Sequence, residues 1–221
     1  DLNVAIGYDA MASNSDSADN AVNRSIAIGR NAMASSVSNQ GTIAIGYYAG
    51  DHASADVDNA VIIGREAARG AMTSDADGTI AIGYSAGAAI TSGQGNVAMG
   101  YQALKAEDDG DSNTAIGHQA LTDQTGYSGL VGNTAVGWRA GYETTTARFC
   151  TFVGANAGFT NTTGLNNTYI GYAAGYASTG SQYNTVVGQG AFYYGGGSSQ
   201  YNVAIGDTAM QLFTMKNGTG P

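Results

Sequence analysis

Val4-Ala-Ile-Gly7 stands near the start of the chain and Val203-Ala-Ile-Gly206 near its end. Between them the same cassette keeps returning: two apolar residues flanking a small one, then glycine, two variable residues and alanine. The motif glycines are Gly7, Gly29, Gly46, Gly64, Gly83, Gly100, Gly117, Gly137, Gly154, Gly171, Gly188 and Gly206. Successive glycines are 22, 17, 18, 19, 17, 17, 20, 17, 17, 17 and 18 residues apart. A short period sustained along a whole chain predicts a solenoid, in which each repeat packs only on its neighbours. Below, coils 1 to 12 are numbered by these glycines.

Within a coil, Val-Ala-Ile has the period-two spacing and β-branching of a short strand. A β-branched residue stands three before every glycine: Val or Ile in coils 1–6 and 12, and Thr114, Thr134, Thr151, Thr168 and Thr185 in between. Ile, Val or Met stands one before it. These two columns share a face of the strand and are expected inside the coil. The residue two before the glycine is alanine in eight units, including Ala98 and Ala115, and is expected to point outward. A row of outward alanines suggests a close contact with another chain, widening where Phe152, Tyr169 and Val186 interrupt it. The glycine ends the strand where the turn needs positive φ or close backbone approach. The alanine three after it, present in all twelve units, sits where the next coil leaves no room. Asparagine stands four before the glycine in seven units, Asn96 and Asn113 among them, and can form a ladder along the stack. A 17-residue coil has room for two strands of about four or five residues and two turns. About twelve such coils make an all-β parallel solenoid roughly 50–55 Å long at about 4.8 Å per rung. Residues 1–210 form the repeat domain, and 211–221 read as an exit or cap segment.

Composition narrows the function. The chain has 34 glycines but one proline, Pro221, which excludes collagen. The net charge of −9 lies in the first half: residues 1–111 hold 14 acids and 5 bases, and 112–221 hold 3 of each. Such a rod is a poor partner for nucleic acid or anionic lipid, both of which need Lys and Arg. No run of apolar residues is long enough for a membrane helix, so no direct membrane insertion is expected. The chain begins at Asp1 with no visible signal peptide and reads as a processed or trimmed piece, with any anchor elsewhere. Cys150, the single cysteine, occupies the asparagine column and reads as a packing substitute.

Asn-Val-Ala-Ile-Gly or Asn-Thr-Ala-Ile-Gly followed by x-x-Ala resembles the head repeats of YadA-type trimeric autotransporter adhesins. Gly100-Tyr-Gln-Ala-Leu104 and Gly171-Tyr-Ala-Ala-Gly175 are similar to related repeats of phage tail fibres. The match spans about residues 3–210. The resemblance implies a left-handed β-roll, a homotrimer about a threefold axis, and attachment to a host-surface glycan or protein receptor. It implies an extracellular location, on a virion tail fibre or a bacterial cell surface.

Sites for chemistry are few. Of the two histidines, His52 and His118, the second falls in a variable surface column, and no nucleophile–base arrangement is apparent. No catalysis and no cofactor are expected. Acids cluster between coils, at Asp56 and Asp58, at Asp75 and Asp77, and at Glu107-Asp108-Asp109-Gly110-Asp111. Solvated turns explain them, with Asp108, Asp109 and Asp111 as a weak calcium candidate. Tyr176, Tyr183, Tyr193 and Tyr194 are candidate receptor contacts, with stacking between coils or across subunits as the plainer role. The alternative function is a tailspike-like polysaccharide depolymerase, which needs paired carboxylates across a groove. Ice binding through the Thr114 to Thr185 column is set aside because that column is expected to face inward.

Overall fold

A computed structural model describes residues 2–12, 22–36, 38–51, 57–125 and 128–212. His52, Asp56 and residues 213–221 of the exit segment lie outside them. The described residues form a parallel β-solenoid. Each cassette supplies one three-residue strand: Val4–Ile6, Ile26–Ile28, Ile43–Ile45, Val61–Ile63, Ile80–Ile82, Val97–Met99, Thr114–Ile116, Thr134–Val136, Thr151–Val153, Thr168–Ile170, Thr185–Val187 and Val203–Ile205. They stack in chain order into one 12-stranded sheet. Alanine pairs with alanine and flank with flank, as in Ala98 with Ala115 and Val97 with Thr114. The first and last rungs are covered on one side only, so twelve strands bound fewer complete turns.

The motif glycines are obligatory for two reasons. Gly7 to Gly206 all have φ between 124° and 140°, which side chains rarely adopt. A Cβ on Gly100 would also lie 2.4 Å from the carbonyl oxygen of Gly117 in the next coil, and the same collision recurs from coil 1 to coil 11. The close approach is set by ladder bonds such as Gly117 N–H to Met99 C=O at 2.7 Å.

The second side of the coil departs from expectation. It holds isolated bridges, such as Arg148 with Leu165 and Leu165 with Gln182, and one two-stranded ladder of Gly110–Asp111 with Gly129–Leu130. The backbone enters the left-handed region at three points in nearly every coil, for example Gln102 (φ 53°), Leu104 (φ 50°) and Ser112 (φ 61°). An extended strand cannot form across such bends. Each bend costs about 1–3 kcal/mol for a non-glycine residue and is held by its neighbours. Gln102 N–H bonds Tyr84 O at 2.8 Å, and Leu104 N–H bonds Ala120 O at 2.9 Å.

Sidedness is the main correction. The middle residue of the strand points inward: Ala27, Ala44, Ala81, Ala98, Ala115 and Ala135 are fully buried. The flanking Val, Ile, Met and Thr point outward, half-buried or exposed. The cause is the thinness of the coil, whose interior at this level has room for small residues. Ala98 and Ala115 are therefore core residues and not contacts with another chain. Phe152, Tyr169 and Val186 likewise lie inside and widen no outer contact. The threonine column, expected inside, lies on the outer face.

The residue four after each glycine points into the same interior as the residue two before it. In coils 2, 4, 6, 7, 9 and 10 small pairs with large. In contrast, Ala44 with Gly50, Ala81 with Gly87 and Ala135 with Gly141 are both small, and side chains from other positions, such as Ile62, Ile90 and Phe152, reach into the space. Ala98 accompanies Leu104, Ala115 accompanies Leu121, and Phe152 and Tyr169 accompany Gly158 and Gly175. A Cβ on Gly158 would sit 2.3 Å from the Phe152 ring, and one on Gly175 2.4 Å from Tyr169. The alanine three after the glycine is also fully buried, at Ala32, Ala103, Ala120 and Ala191 among others.

This pairing is testable. Phe152→Ala should lose about 3–5 kcal/mol by leaving a cavity. Gly158→Leu alone should overpack and fail. The double variant should recover much of the loss, because it reproduces the Ala115 and Leu121 arrangement of coil 7. Urea unfolding of the three variants measures it; a double variant no better than Phe152→Ala would show that the pair does not share its volume.

Candidate functional site

Among the described residues the most regular candidates are columns of side chains that the stack holds in register. The largest is the outer face of the main sheet. Seven Val or Ile residues three before the glycine and twelve Ile, Val or Met residues one before it form two parallel apolar rows. At the ends of the rod Ile6 is 58% and Ile205 is 69% exposed, and mid-rod Met99 is still 38% exposed. In coils 7–11 the first row becomes Thr114, Thr134, Thr151, Thr168 and Thr185, paired rung to rung.

Two aromatic ladders flank this sheet and a third runs along the turns. The residue just after the glycine gives Tyr8, Arg30, Tyr47, Arg65, Tyr84, Tyr101 and His118 in coils 1–7. Arg30 lies over Tyr8 and Tyr47 at 5.6 and 5.8 Å, and Arg65 over Tyr47 and Tyr84 at 5.6 and 5.7 Å. Tyr84, Tyr101 and His118 then stack at 5.2 and 4.8 Å. Sequence reasoning treated this column as variable surface; its signal was the alternation of aromatic and arginine at one register position. On the turn side Tyr142, Phe159, Tyr176 and Tyr193 stack at 5.2, 4.9 and 4.8 Å. Tyr194 packs edge-on against Tyr193. Tyr183 stacks on Tyr201 at 5.0 Å, at the edge five before the glycine. Of the candidate tyrosines, Tyr176 and Tyr193 thus lie in the turn column and Tyr183 in the edge column, while Tyr194 stands beside Tyr193 outside both.

The interior carries its own polar spine. Asn113 N–H donates to Asn96 Oδ1 at 2.8 Å, and Asn133 N–H to Asn113 Oδ1 at 3.1 Å. Amide-to-amide bonds run from Asn202 to Asn184 and from Asn184 to Asn167. Ser25 and Thr42 serve the column with hydroxyls. Cys150 continues it by accepting from Asn161 Nδ2 at 3.5 Å and donating to the Arg148 and Gly164 carbonyls. Burial pushes its thiol up to about 11, so it is an inert packing residue. Tyr169 is also shifted upward by burial.

The acids divide. Asp58, Asp77 and Asp111 accept the backbone N–H of Gln40, Asp58 and Gln94 in the preceding coil, at 2.7, 2.7 and 2.8 Å. They are structural caps on the stack. The carboxylates of Glu107, Asp108 and Asp109 instead come within 4.8 Å of one another. Of the three acids named as the calcium candidate, Asp108 and Asp109 thus converge with Glu107, while Asp111 accepts from Gln94 N–H. Glu107 is fully buried. Its Oε1 accepts from Gly110 N–H at 2.9 Å and Asp108 N–H at 3.1 Å, and its Oε2 has no partner. A cleft of about 280 Å³ beside it is lined by Asp75, Ser92, Gln94, Asp109, Asp111, Ser128 and Gly129. Among the described residues no aromatic side chain lines this cleft.

No family model, curated protein or solved structure matches the chain.

Burial is the largest cause of a raised Glu107 pKa, opposed by the two N–H bonds. The folded chain therefore holds this proton to higher pH than the unfolded one. Stability from this site is full below the unfolded glutamate value and is lost as pH rises through the folded value. Glu107→Gln should raise the melting temperature at pH 7, and the gain should vanish near pH 4. Equal gains at both pH values would show that Glu107 carries no such cost.

Proposed function

We propose that the chain is a rigid, non-catalytic segment of a trimeric fibre or adhesin that attaches a phage or cell to a host surface. The observation that carries this reading is the long, mainly apolar outward face. Nineteen of its twenty-four side chains are Val, Ile or Met. Full burial of one such side chain is worth about 1.5–3 kcal/mol. Even a fraction of that, repeated along the rod, exceeds the roughly 4–15 kcal/mol that association costs. Soluble monomers rarely leave so long an apolar strip in water. A neighbouring copy is the occupant the resemblance suggests, and three copies bury all three faces around one axis.

The absence of a deep pocket with paired catalytic groups among the described residues favours a spacing and binding role. The acidic cleft beside Glu107 is the place where a depolymerase reading would have to be tested. Incubation with capsule or lipopolysaccharide and analysis of released oligosaccharides tests it. The outward threonine column removes the reason given above for setting ice binding aside. In a trimer that column is covered, so thermal hysteresis from the assembled protein would count against the trimeric reading.

Sedimentation equilibrium should give three copies per particle. Ile82→Lys, on the outward face, should break the assembly, because it places a charge in an apolar seam; Ser74→Lys, on an exposed turn, should not. A stable folded wild-type monomer would overturn the proposal.

A further inference from the structure

Two edge columns border the outward face of the sheet. The leading edge is the residue five before the glycine, where the backbone bends through a left-handed conformation. The trailing edge is the residue just after the glycine. Their sizes are opposed within each coil. Gly78 lies level with Tyr84, Gly95 with Tyr101, and Gly132 with Trp138. In coils 9, 11 and 12 the sense reverses, with Phe149 level with Ala155, Tyr183 with Gln189 and Tyr201 with Asp207, while coil 10 keeps the first sense with Asn166 level with Tyr172. Coils 1 and 2 depart from the rule, with Leu2 beside Tyr8 and Arg24 beside Arg30.

Within one protomer the left-handed backbone favours Gly or Asn at the leading edge, and Phe149 crowds Gly132 from the next coil, but neither accounts for the size of the residue six positions on. The strand lies between the two edges, and six residues separate the members of a pair. Ring contacts run along each column, Tyr84 to Tyr101 and Tyr183 to Tyr201, and none crosses from one edge to the other among the described residues. The large members are exposed: Tyr101 44%, Trp138 46%, Phe149 45% and Tyr183 44%. Gly78 and Gly95 face open space, with no atom within 4 Å of a Cβ built on either.

We propose that the leading edge of one protomer receives the trailing edge of the next, coil against equal coil, so that knobs on one meet gaps on the other. The occupant is a second copy of this chain, and the inference rests on the trimeric reading above. Cyclic symmetry about an axis along the rod brings unlike edges together at equal height. A two-fold axis across the rod would pair like edges and leave the complementarity unused. Charge agrees at coil 4, where Arg65 on the trailing edge is level with Asp58, one residue before the leading-edge Asn59. The seam also has the aromatic and arginine content of a stable interface. The edges therefore fix the relative height of the subunits, which a uniform apolar face cannot do.

The experiment begins with wild-type sedimentation; a wild-type monomer would overturn the trimeric reading and this one with it. Given a wild-type trimer, Gly95→Trp should fill the gap meant for the neighbour's Tyr101 and weaken assembly roughly tenfold or more, as overpacking does. Gly95→Asn, which tolerates the same backbone, should leave assembly near wild type. Adding Tyr101→Ala to Gly95→Trp should restore it. A trimer indifferent to Gly95→Trp, or a double variant no better than the single, overturns the edge pairing while leaving the trimer standing. Should Gly95→Trp fail to fold, Ser112→Cys with His118→Cys decides the matter. Oxidation or a short bismaleimide should link this variant covalently into trimers, and neither single-cysteine variant should link. Absence of cross-links in an intact trimer overturns the proposal.

Discussion

The fold depends on the contact between one motif glycine and the carbonyl oxygen of the next. The atoms approach so closely that a Cβ would fall within 2.2 to 2.7 Å of that oxygen. This fixes the coil-to-coil distance at one corner of the roll. The strand ladder fixes it at the adjacent side, and the asparagine spine at the corner beyond. With three lines held at one spacing, every other column inherits the same register. Aromatic ladders, buried amides and outward rows are consequences of that pitch.

The interior then obeys a local rule of volume. Each coil contributes one side chain from the strand and one from the turn, and the two share a narrow space. Alanine with leucine fills it, as does phenylalanine or tyrosine with glycine. Gly141 shows that the rule extends to the neighbouring coil, since a Cβ there would meet both Phe152 and Leu121. Packing of this kind tolerates exchange within a pair far better than change at one site. It also explains why the left-handed turn residues can be Leu, Met or Phe: they are held by burial and by backbone bonds to adjacent coils.

Period, strand placement, parallel stacking and the glycine corner were all legible in the sequence, because each follows from spacing. Sidedness was not. Large β-branched residues were assigned to the core and alanine to the surface, which is the usual reading of a strand, and a one-residue error of phase inverts every side chain. The residues that could have corrected it were present. Alanine three after the glycine never varies, and the residue four after it is glycine in both coils where Phe152 and Tyr169 replace alanine, though also beside Ala44, Ala81 and Ala135. Both facts speak of a crowded interior beside the strand. The acidic trio was half legible: Asp108 and Asp109 were named, but only the backbone path reveals that Asp111 caps Gln94 while Glu107 turns inward.

The ladders bear on how a fibre of the proposed kind would bind. In Tyr142, Phe159, Tyr176 and Tyr193 the ring faces lie against one another, with interplanar angles of 16°, 8° and 9°. A sugar that stacks on a ring needs a free face, and inner members of such a ladder have none to give. They offer edges and hydroxyls, repeated at the pitch of the coil. Free faces belong to the ends of a column, where the next coil carries something other than an aromatic. Tyr193 is such an end, since the equivalent position in coil 12 is Gln211. With Tyr194 edge-on beside it and about half exposed, this end unites two rings and two hydroxyls next to the amide of Gln211 rather than a further aromatic. Recognition along the ladder and recognition at its end are therefore different chemistries. The first suits an extended ligand that reads a hydroxyl row, and the second a single sugar or side chain that stacks.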